Sequence, residues 1–330
     1  RLVMDMKEPI AAFLSKKTKR PVRITNTRQE EFMTARTRYP YIFKLRTAVT
    51  KEGKILGRHA TAIVDNGAYS DKGPNTMSYC ETVNSCFYNV PHTKFDGYIV
   101  YTNKQYGTGF RGFVNPQIHF AIESQMDIIA ERLNMDPVRF RKLNANKKGD
   151  ITSSGKKIDT TSMDTTLQVA LEKSDWYNKR RMYSNQPQDA QKVRGIGLAW
   201  MIQSGGGSRG YGYNSVDAFV KLSEEGQVSV ITSGVEMGQG PQTVMAQIAG
   251  EILGVPLDSI KIIDNDTDII PYDLGSWGSR TTYVNGIAVK NAAEQAREEL
   301  MDMASIMFKQ PVHSLVLLEG KIGPKNNWNL

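Results

Sequence analysis

Three short segments of this 330-residue chain combine glycine with hydrogen-bonding side chains at the mouth of an expected helix. Gly107-Thr-Gly-Phe-Arg-Gly-Phe113 precedes a periodic helix that begins near Pro116. Glu236-Met-Gly-Gln-Gly-Pro-Gln-Thr243 opens a helix at Pro241, and Gly275-Ser-Trp-Gly-Ser-Arg-Thr-Thr282 lies shortly before a helix from Gly286. A helix start leaves backbone N–H donors unpaired and carries roughly half a positive charge, so glycine there lets an anion such as phosphate approach the backbone. Gln239, Gln242, Thr243, Ser279, Thr281 and Thr282 add neutral donors and acceptors suited to the edge of a heterocycle. One such segment alone is an ordinary turn with Gly and Thr caps, whereas three point to a large polar cofactor. Arg111, set among Phe110, Gly112 and Phe113, is placed to face an oxo or phosphate group, with a salt bridge near the helix as the plainer alternative. Phe113 offers a ring face to a planar substrate or, equally, a core contact. Glu236 reads as a structural or capping group rather than a base.

Other chemistries lack their residues. There is no G-x-x-x-x-G-K-[ST], no G-x-G-x-x-G between a strand and a helix, no H-E-x-x-H and no G-x-S-x-G elbow on a strand-to-helix turn. The four histidines, His59, His92, His119 and His313, are dispersed, and Cys80 and Cys86 fit neither a C-x-x-C site nor a disulfide framework. A reducing cytoplasm is therefore the expected location. Lys and Arg outnumber Asp and Glu by 42 to 34, a net charge of +8, but the basic residues are scattered, which does not favour nucleic acid. Hydrophobic residues at 40% and charged residues at 23% match a folded globular chain, and no segment reads as a signal peptide or a membrane span.

The elements that must position these segments follow from periodicity. Ile10, Phe13 and Leu14 predict a helix over 8–17, with Pro9 in its first turn. Strands are expected at 21–26, 41–49, 55–65 and 95–101, the middle two joined as a hairpin through Lys51-Glu-Gly-Lys54. Ile118, Ala121, Ile122, Met126, Ile129, Ala130 and Leu133 mark one face of a long helix, and Asp136 with Pro137 caps a shorter one to Asn144. A polar stretch with a helix near 164–171 separates this part from a second. That second part reads as a strand at 195–202, a glycine-rich loop at 204–213, a hairpin around Glu224-Glu-Gly226, a helix at 241–253, a strand at 259–264 and a helix at 286–303.

The segments Gly109–Gln117, Phe120–Ala130, Met135–Arg141, Gly238-Gln-Gly240 and Gly278–Thr282, with Lys19–Arg23 and Asp65–Tyr69, resemble in collinear order the molybdenum-binding subunit of the molybdenum hydroxylases. That family includes xanthine dehydrogenase, aldehyde oxidoreductase, nicotinate dehydrogenase, carbon monoxide dehydrogenase and 4-hydroxybenzoyl-CoA reductase. The resemblance implies an α+β fold of two elongated mixed α/β domains, incomplete at both ends: residues 1–150, a connecting segment 151–194, and residues 195–330. It implies molybdopterin carrying molybdenum, in its cytosine dinucleotide form. Gly109, Phe110, Arg111, Gly112, Gly238, Gln239, Gly240, Gln242, Thr243, Gly278, Ser279, Arg280, Thr281 and Thr282 would hold it. Arg111 and Phe113 match positions beside the metal, which no side chain of this chain is expected to ligate, and Tyr79 with Phe113 would line the substrate pocket.

The activity so implied is hydroxylation of an N-heterocycle or aldehyde with water as the oxygen source. Electrons would pass to iron–sulfur clusters and FAD on partner domains or subunits, in a dimer of heteromers without nucleic acid or membrane. A redox subunit like carbon monoxide dehydrogenase or 4-hydroxybenzoyl-CoA reductase is the nearer alternative, and a non-catalytic cofactor-binding or scaffolding relative the more distant one. The family's Gly-x-Gly-Glu segment, with its glutamate base, has no counterpart in the chain, so the remaining molybdenum-subunit segments are expected as partners and the isolated chain is expected to be inactive.

Overall fold

A computed structural model describes residues 6–187, 191–203, 205 and 214–326. In chain order its first elements are helices α1 (Lys7–Thr18) and α2 (Arg28–Thr34), then strands β1 (Thr37–Arg38), β2 (Tyr41–Val49) and β3 (Ile55–Gly67). Helix α3 (Gly73–Cys86), strands β4 (His92–Tyr101) and β5 (Gly107–Thr108), and helices α4 (Asn115–Arg132), α5 (Pro137–Asn144), α6 (Met163–Ser174) and α7 (Trp176–Ser184) follow. The remainder comprises β6 (Phe219–Leu222), β7 (Val228–Ile231), α8 (Pro241–Leu253), β8 (Ile260–Ile263), α9 (Thr281–Phe308), β9 (Leu315–Leu318) and β10 (Lys321–Pro324). Thr25–Gln203 pack as one compact unit; among the described residues, 6–24 belong with 205 and 214–326 in the other. Packing thus divides the chain differently from the sequence-based division at 150 and 194. The polar segment contributes α6 and α7, whose Leu167, Leu171 and Trp176 are buried together with Val138 and against Ile196 and Leu198.

The unit 25–203 is built on a sheet of order β2-β3-β4, antiparallel between β2 and β3 and parallel between β3 and β4, with α3 as the crossover. On β3, Arg58, Ala60, Ala62 and Val64 point inward at period two, and α4 presents Ile118, Ile122, Met126 and Ile129 to a core that holds Val83, Phe87, Val114 and Phe140. Each such aliphatic side chain, fully buried, contributes about 1.5–3 kcal/mol. Asp136 caps α5 as its composition predicts, accepting from the Arg139 N–H at 2.9 Å with Pro137 at the first position.

The second unit repeats the motif on a smaller scale. β6 and β7 form an antiparallel pair, β7 and β8 run parallel, and α8 is the crossover. Met245, Ala249 and Leu253 of α8 pack with Val289 and Ala293 of α9 over Val228 and Val230. Gly286 lets the two helices approach closely, since a Cβ there would stand 3.0 Å from Ile248 Cδ1.

Two expected strands do not form. Residues 195–202 form no strand: the Trp200 and Ile202 N–H groups donate instead to Glu123 Oε2 at 2.8 Å and to His119 Nε2 at 3.0 Å on α4, so side chains take the place of a ladder. Residues 21–26 also have no strand partner among the described residues. Helix α3 is rich in Gly, Pro, Asn, Thr and Ser, poor intrinsic helix formers, and exists because Met77, Cys80 and Val83 bury one face. The expected glycine-rich loop at 204–213 lies outside the described residues except for Gly205.

The 195–203 segment is held through a buried polar cluster. Glu123 also accepts from the Tyr88 hydroxyl and from Arg141 Nε at 2.8 Å, while Arg141 is fully buried and Arg58 is 2% exposed with Nε and Nη2 unpartnered. His119 donates from Nδ1 to the Asn115 carbonyl at 3.0 Å while its Nε2 accepts, which fixes the neutral tautomer, and burial holds its pKa below the ordinary imidazole value. Removing the carboxylate by Glu123→Ala takes from buried Arg141 one of its two carboxylate partners, Asp127 being the other, and leaves the Trp200 amide without its acceptor. It should cost roughly 3–5 kcal/mol, read as a lower urea midpoint, and an unchanged midpoint would contradict this account.

Candidate functional site

In the unit 25–203, the loop 107–115 leads from β5 into α4. Gly107 is required by close approach, because an added Cβ would lie 2.2 Å from the Tyr39 ring, and a Cβ on Gly109 would lie 3.0 Å from the Phe113 ring. Gly112 (φ +89°) and Phe113 (φ +54°) are consecutive left-handed residues. For Phe113 that conformation costs roughly 1–2 kcal/mol, which the bonds of the turn must offset. Those bonds run from the Phe113 N–H to the Phe110 carbonyl at 2.6 Å and from the Asn115 N–H to the Gly112 carbonyl at 3.0 Å. The Arg38 guanidinium reaches the same loop, donating from Nη1 to the Phe113 carbonyl at 2.6 Å. Phe110 and Arg111 are exposed and Phe113 is half-buried. Tyr79, on α3, meets the Phe113 ring edge-on at 6.0 Å, so the two residues expected near a substrate are adjacent.

In the other unit the remaining two turns lie side by side. The Ser276 hydroxyl donates to the Val235 carbonyl at 3.4 Å, and a Cβ on Gly234 would stand 3.1 Å from Asn285 Nδ2 and 3.3 Å from Thr281 Cγ2. Gly238, Gln239, Gln242, Thr243, Ser279 and Thr282 are exposed, while Gly240, Gly278 and Thr281 are half-buried. Among the described residues a Cβ on Gly238 or Gly240 would meet nothing within 4 Å, which leaves open space over this turn. Two buried polar atoms without partners among the described residues border the pair of turns: Ser233 Oγ and Asn285 Oδ1.

The second turn departs from the sequence-based expectation. Glu236 Oε1 accepts from the Gly238 N–H at 2.7 Å and the Gly240 N–H at 3.1 Å, so the anion held by these amides is the chain's own carboxylate. The amides of Gly240, Gly238, Gln242 and Gln239 together hold its pKa below the ordinary carboxylate value. Gln239 folds back along the turn, its Oε1 accepting from the Met237 N–H at 2.7 Å and its Nε2 donating to the Val235 carbonyl at 2.9 Å. One amide proton and one oxygen lone pair of Gln239 remain for another partner. Gln242 donates to both carboxylate oxygens of Asp264, at 3.2 and 3.0 Å.

At the third turn, Arg280 does not present its side chain to solvent. It is fully buried, paired with Asp273, and donates from Nη1 to the Gly275 carbonyl at 3.0 Å and from Nε to Asn214 Oδ1 at 2.7 Å. It braces the turn from within. Gly278 (φ +59°) and Ser279 (φ +55°) repeat the left-handed pair of Gly112 and Phe113. No side chain caps α9, which begins at Thr281 rather than at Gly286, so its first-turn N–H groups, next in sequence to Ser279 and Arg280, are without a capping acceptor. Asp264, Ser233 and Asn285 carry no sequence signal for this place; Glu236 did, through its spacing to Gly238 and Gly240.

Among the described residues no three His, Cys, Asp or Glu side chains gather into a metal cage, and no helix is long and apolar enough to cross a membrane. The donor set is instead one of amides, hydroxyls and backbone N–H groups around open space, which suits a heterocycle bearing an anionic tail.

Comparison with known proteins gives a consistent picture. Residues 5–145 match the family described as molybdopterin cofactor-binding domain, and residues 169–329 match a second domain of the same description. Over 320 residues the chain is 30% identical to the xanthine dehydrogenase molybdenum-binding subunit of Escherichia coli O157:H7, covering 96% of this chain and 42% of that protein. It is 28% identical over 297 residues to aldehyde oxidase 3 of Rattus norvegicus, 90% of this chain and 22% of that one. The solved quinoline 2-oxidoreductase of Pseudomonas putida 86 superposes with a TM-score of 0.83 over 96% of this chain and 42% of its own, a likeness of fold at 24% identity. The carbon monoxide dehydrogenase of Oligotropha carboxidovorans gives 0.79 at 25% identity, over 96% and 43%. The chain therefore spans about two fifths of the bacterial subunit it matches.

Because the backbone amides hold the Glu236 carboxylate below the ordinary carboxylate value, its contribution to the turn is complete above that ordinary value and is lost as pH falls through its own lower one. Glu236→Gln, which mimics the protonated state, should speed exchange of the Gly238 and Gly240 amides at neutral pH, and Glu236→Ala should do so further. NMR exchange rates equal to those of the unaltered protein would remove Glu236 from this role.

Proposed function

The chain belongs to the molybdopterin cofactor-binding family of the molybdenum hydroxylases, and from that membership we propose that it holds the molybdenum cofactor of an enzyme that hydroxylates an N-heterocycle or aldehyde, taking the oxygen from water. The observation that carries this reading is the pairing of two glycine-rich turns around open space, bordered by orphaned Ser233 and Asn285 atoms. When bound, the cofactor would supply two-electron redox chemistry at molybdenum.

The chain's own residues then have separable tasks. Gln239 offers its remaining amide proton and lone pair to the pterin edge, with Gln242, Thr243 and Ser279 beside it. The amides of Gly238 and Gly240 are already committed to Glu236, which leaves the uncapped start of α9, at Thr281 and Thr282, for the anionic part of a dinucleotide form of the cofactor. Cytosine is the base we assign to that form. In the other unit, Arg111 supplies a fixed positive charge toward developing negative charge, and Phe113 with Tyr79 forms two apolar walls that orient a flat ring and exclude water. That aromatic corner favours a planar organic substrate over a diatomic gas.

The remaining molybdenum-subunit segments, an iron–sulfur subunit and a flavin subunit are the proposed partners, in a cytoplasmic dimer of heteromers, with the general base supplied from outside this chain. The exposed surface supports such partners. Helix α1 has no buried residue although it carries Ile10, Phe13 and Leu14, and Met303, Ile306 and Met307 of α9 are all exposed.

Metal analysis of the native assembly should find molybdenum near one per copy of this chain, together with extractable pterin, and neither in an intact assembly would end the reading. Gln239→Ala should lower molybdenum retention several-fold. Tyr79→Ala should raise KM for an aromatic substrate about tenfold, the effect expected when roughly 1.4 kcal/mol of ring contact is lost; an unchanged KM would remove Tyr79 from the pocket.

A further inference from the structure

Arg38 lies more than seventy residues before the loop 110–113 and carries no motif of its own. The parallel pairing of Thr37 with Gly107 and of Arg38 with Thr108 sets it beside the strand that leads into that loop. Its guanidinium donates from Nη1 to the Phe113 carbonyl at 2.6 Å and from Nη2 to the Arg111 carbonyl at 2.5 Å, while its central carbon lies 5.0 Å over the Phe110 ring. One side chain thus engages Phe110, Arg111 and Phe113 together.

We propose that Arg38 is a positioning residue for the reaction: it fixes Arg111 and Phe113 by clamping both of their carbonyls. The inference rests on the reading of the 110–113 loop as facing the cofactor. An arginine is needed because two acceptors two residues apart match the planar fork of a guanidinium, and because the flat cation stacks on Phe110; an ammonium, a compact point charge, has neither the fork nor the flat face. The clamp is also anchored behind. Tyr39, the next residue, fills the space left by the missing side chain of Gly107, accepts at its hydroxyl from the Lys72 N–H at 2.8 Å, and accepts at its carbonyl from Gln117 Nε2 at 3.0 Å. Arg38 therefore starts from a backbone tied to both α3 and α4. Its hold on the Phe113 carbonyl keeps the left-handed Gly112–Phe113 pair from relaxing to an extended loop, which would carry the Phe113 ring away from Tyr79.

The test uses the complete enzyme assembly with Arg38→Ala, Arg38→Lys and, for comparison, Arg111→Ala. In both Arg38 variants deuterium uptake by peptides spanning 107–117 should quicken about tenfold or more, as the turn bonds open more often. Molybdenum content should stay within a factor of about two, and kcat should fall roughly 100-fold, the loss that a displacement near 1 Å produces, with KM moving less. Added guanidinium should restore part of the kcat of Arg38→Ala. Uptake unchanged in Arg38→Ala, or a kcat of Arg38→Lys equal to that of the unaltered enzyme, would overturn the proposal. Should Arg38→Ala fail to assemble, Arg38→Lys, which keeps length and charge, decides the matter by the same uptake measurement. Arg111→Ala with full molybdenum content and full turnover would instead remove the cofactor-side reading of the loop, while leaving the uptake result to stand for the clamp.

Discussion

A tight glycine-rich turn exposes more backbone N–H and C=O groups than it can pair within itself, and this constraint governs the three turns described above. Each is closed by one charged side chain that reaches into the loop. Arg38 takes two carbonyls of the 110–113 loop, Glu236 takes two amides of the 238–240 turn, and Arg280 takes the Gly275 carbonyl while paired with Asp273. A charged partner makes a stronger hydrogen bond than a neutral one and, by reaching two groups at once, leaves the loop little choice of shape. The two left-handed pairs, Gly112–Phe113 and Gly278–Ser279, persist only inside turns held in this way.

The same rule shapes the core of the unit 25–203. Residues 195–203 lack a strand partner among the described residues, and α4 supplies acceptors in side chains, with the Glu123 carboxylate and the neutral His119 ring accepting the Trp200 and Ile202 amides. Such an arrangement is rigid, because each acceptor is itself fixed by buried partners: Arg141 and Tyr88 for Glu123, the Asn115 carbonyl for His119. Asn115 is also the first residue of α4, directly after the 110–113 loop. The polar core and the loop therefore meet at one helix end, and a change that loosens α4 is felt at Phe113.

This division of labour bears on cofactor binding. The carboxylate of Glu236 closes the 238–240 turn within the chain itself, so the binding proposed there would not have to pay for ordering the loop. The groups left outward, Gln239, Ser279, Thr281 and Thr282, are neutral and need only exchange water for a ligand edge. In these two turns the charged groups are taken up by the turns' own backbone while neutral hydrogen-bonding groups remain outward, a distribution that suits a large polar heterocycle better than a small ion.

Much of the fold is readable from local pattern. The 3.6-residue spacing of Ile118, Ile122, Met126 and Ile129, the Asp136-Pro137 cap and the Gly240-Pro241 start each act over a few residues, so the chain shows them directly and the observed elements agree. The glycine-rich segments, with the amides and hydroxyls they carry, are legible for the same reason. Helix α3 is not, because its stability comes from burying Met77, Cys80 and Val83 against a sheet whose strands lie elsewhere in sequence. The roles of Arg38 and Arg280 are likewise invisible along the chain. Whether an arginine faces solvent, a ligand or a distant carbonyl depends on contacts across many residues, here a two-residue parallel pairing for Arg38 and burial beside Asp273 for Arg280. Hydrogen-bond donors are fixed by residue type, but their partners are chosen only when the backbone has closed around them.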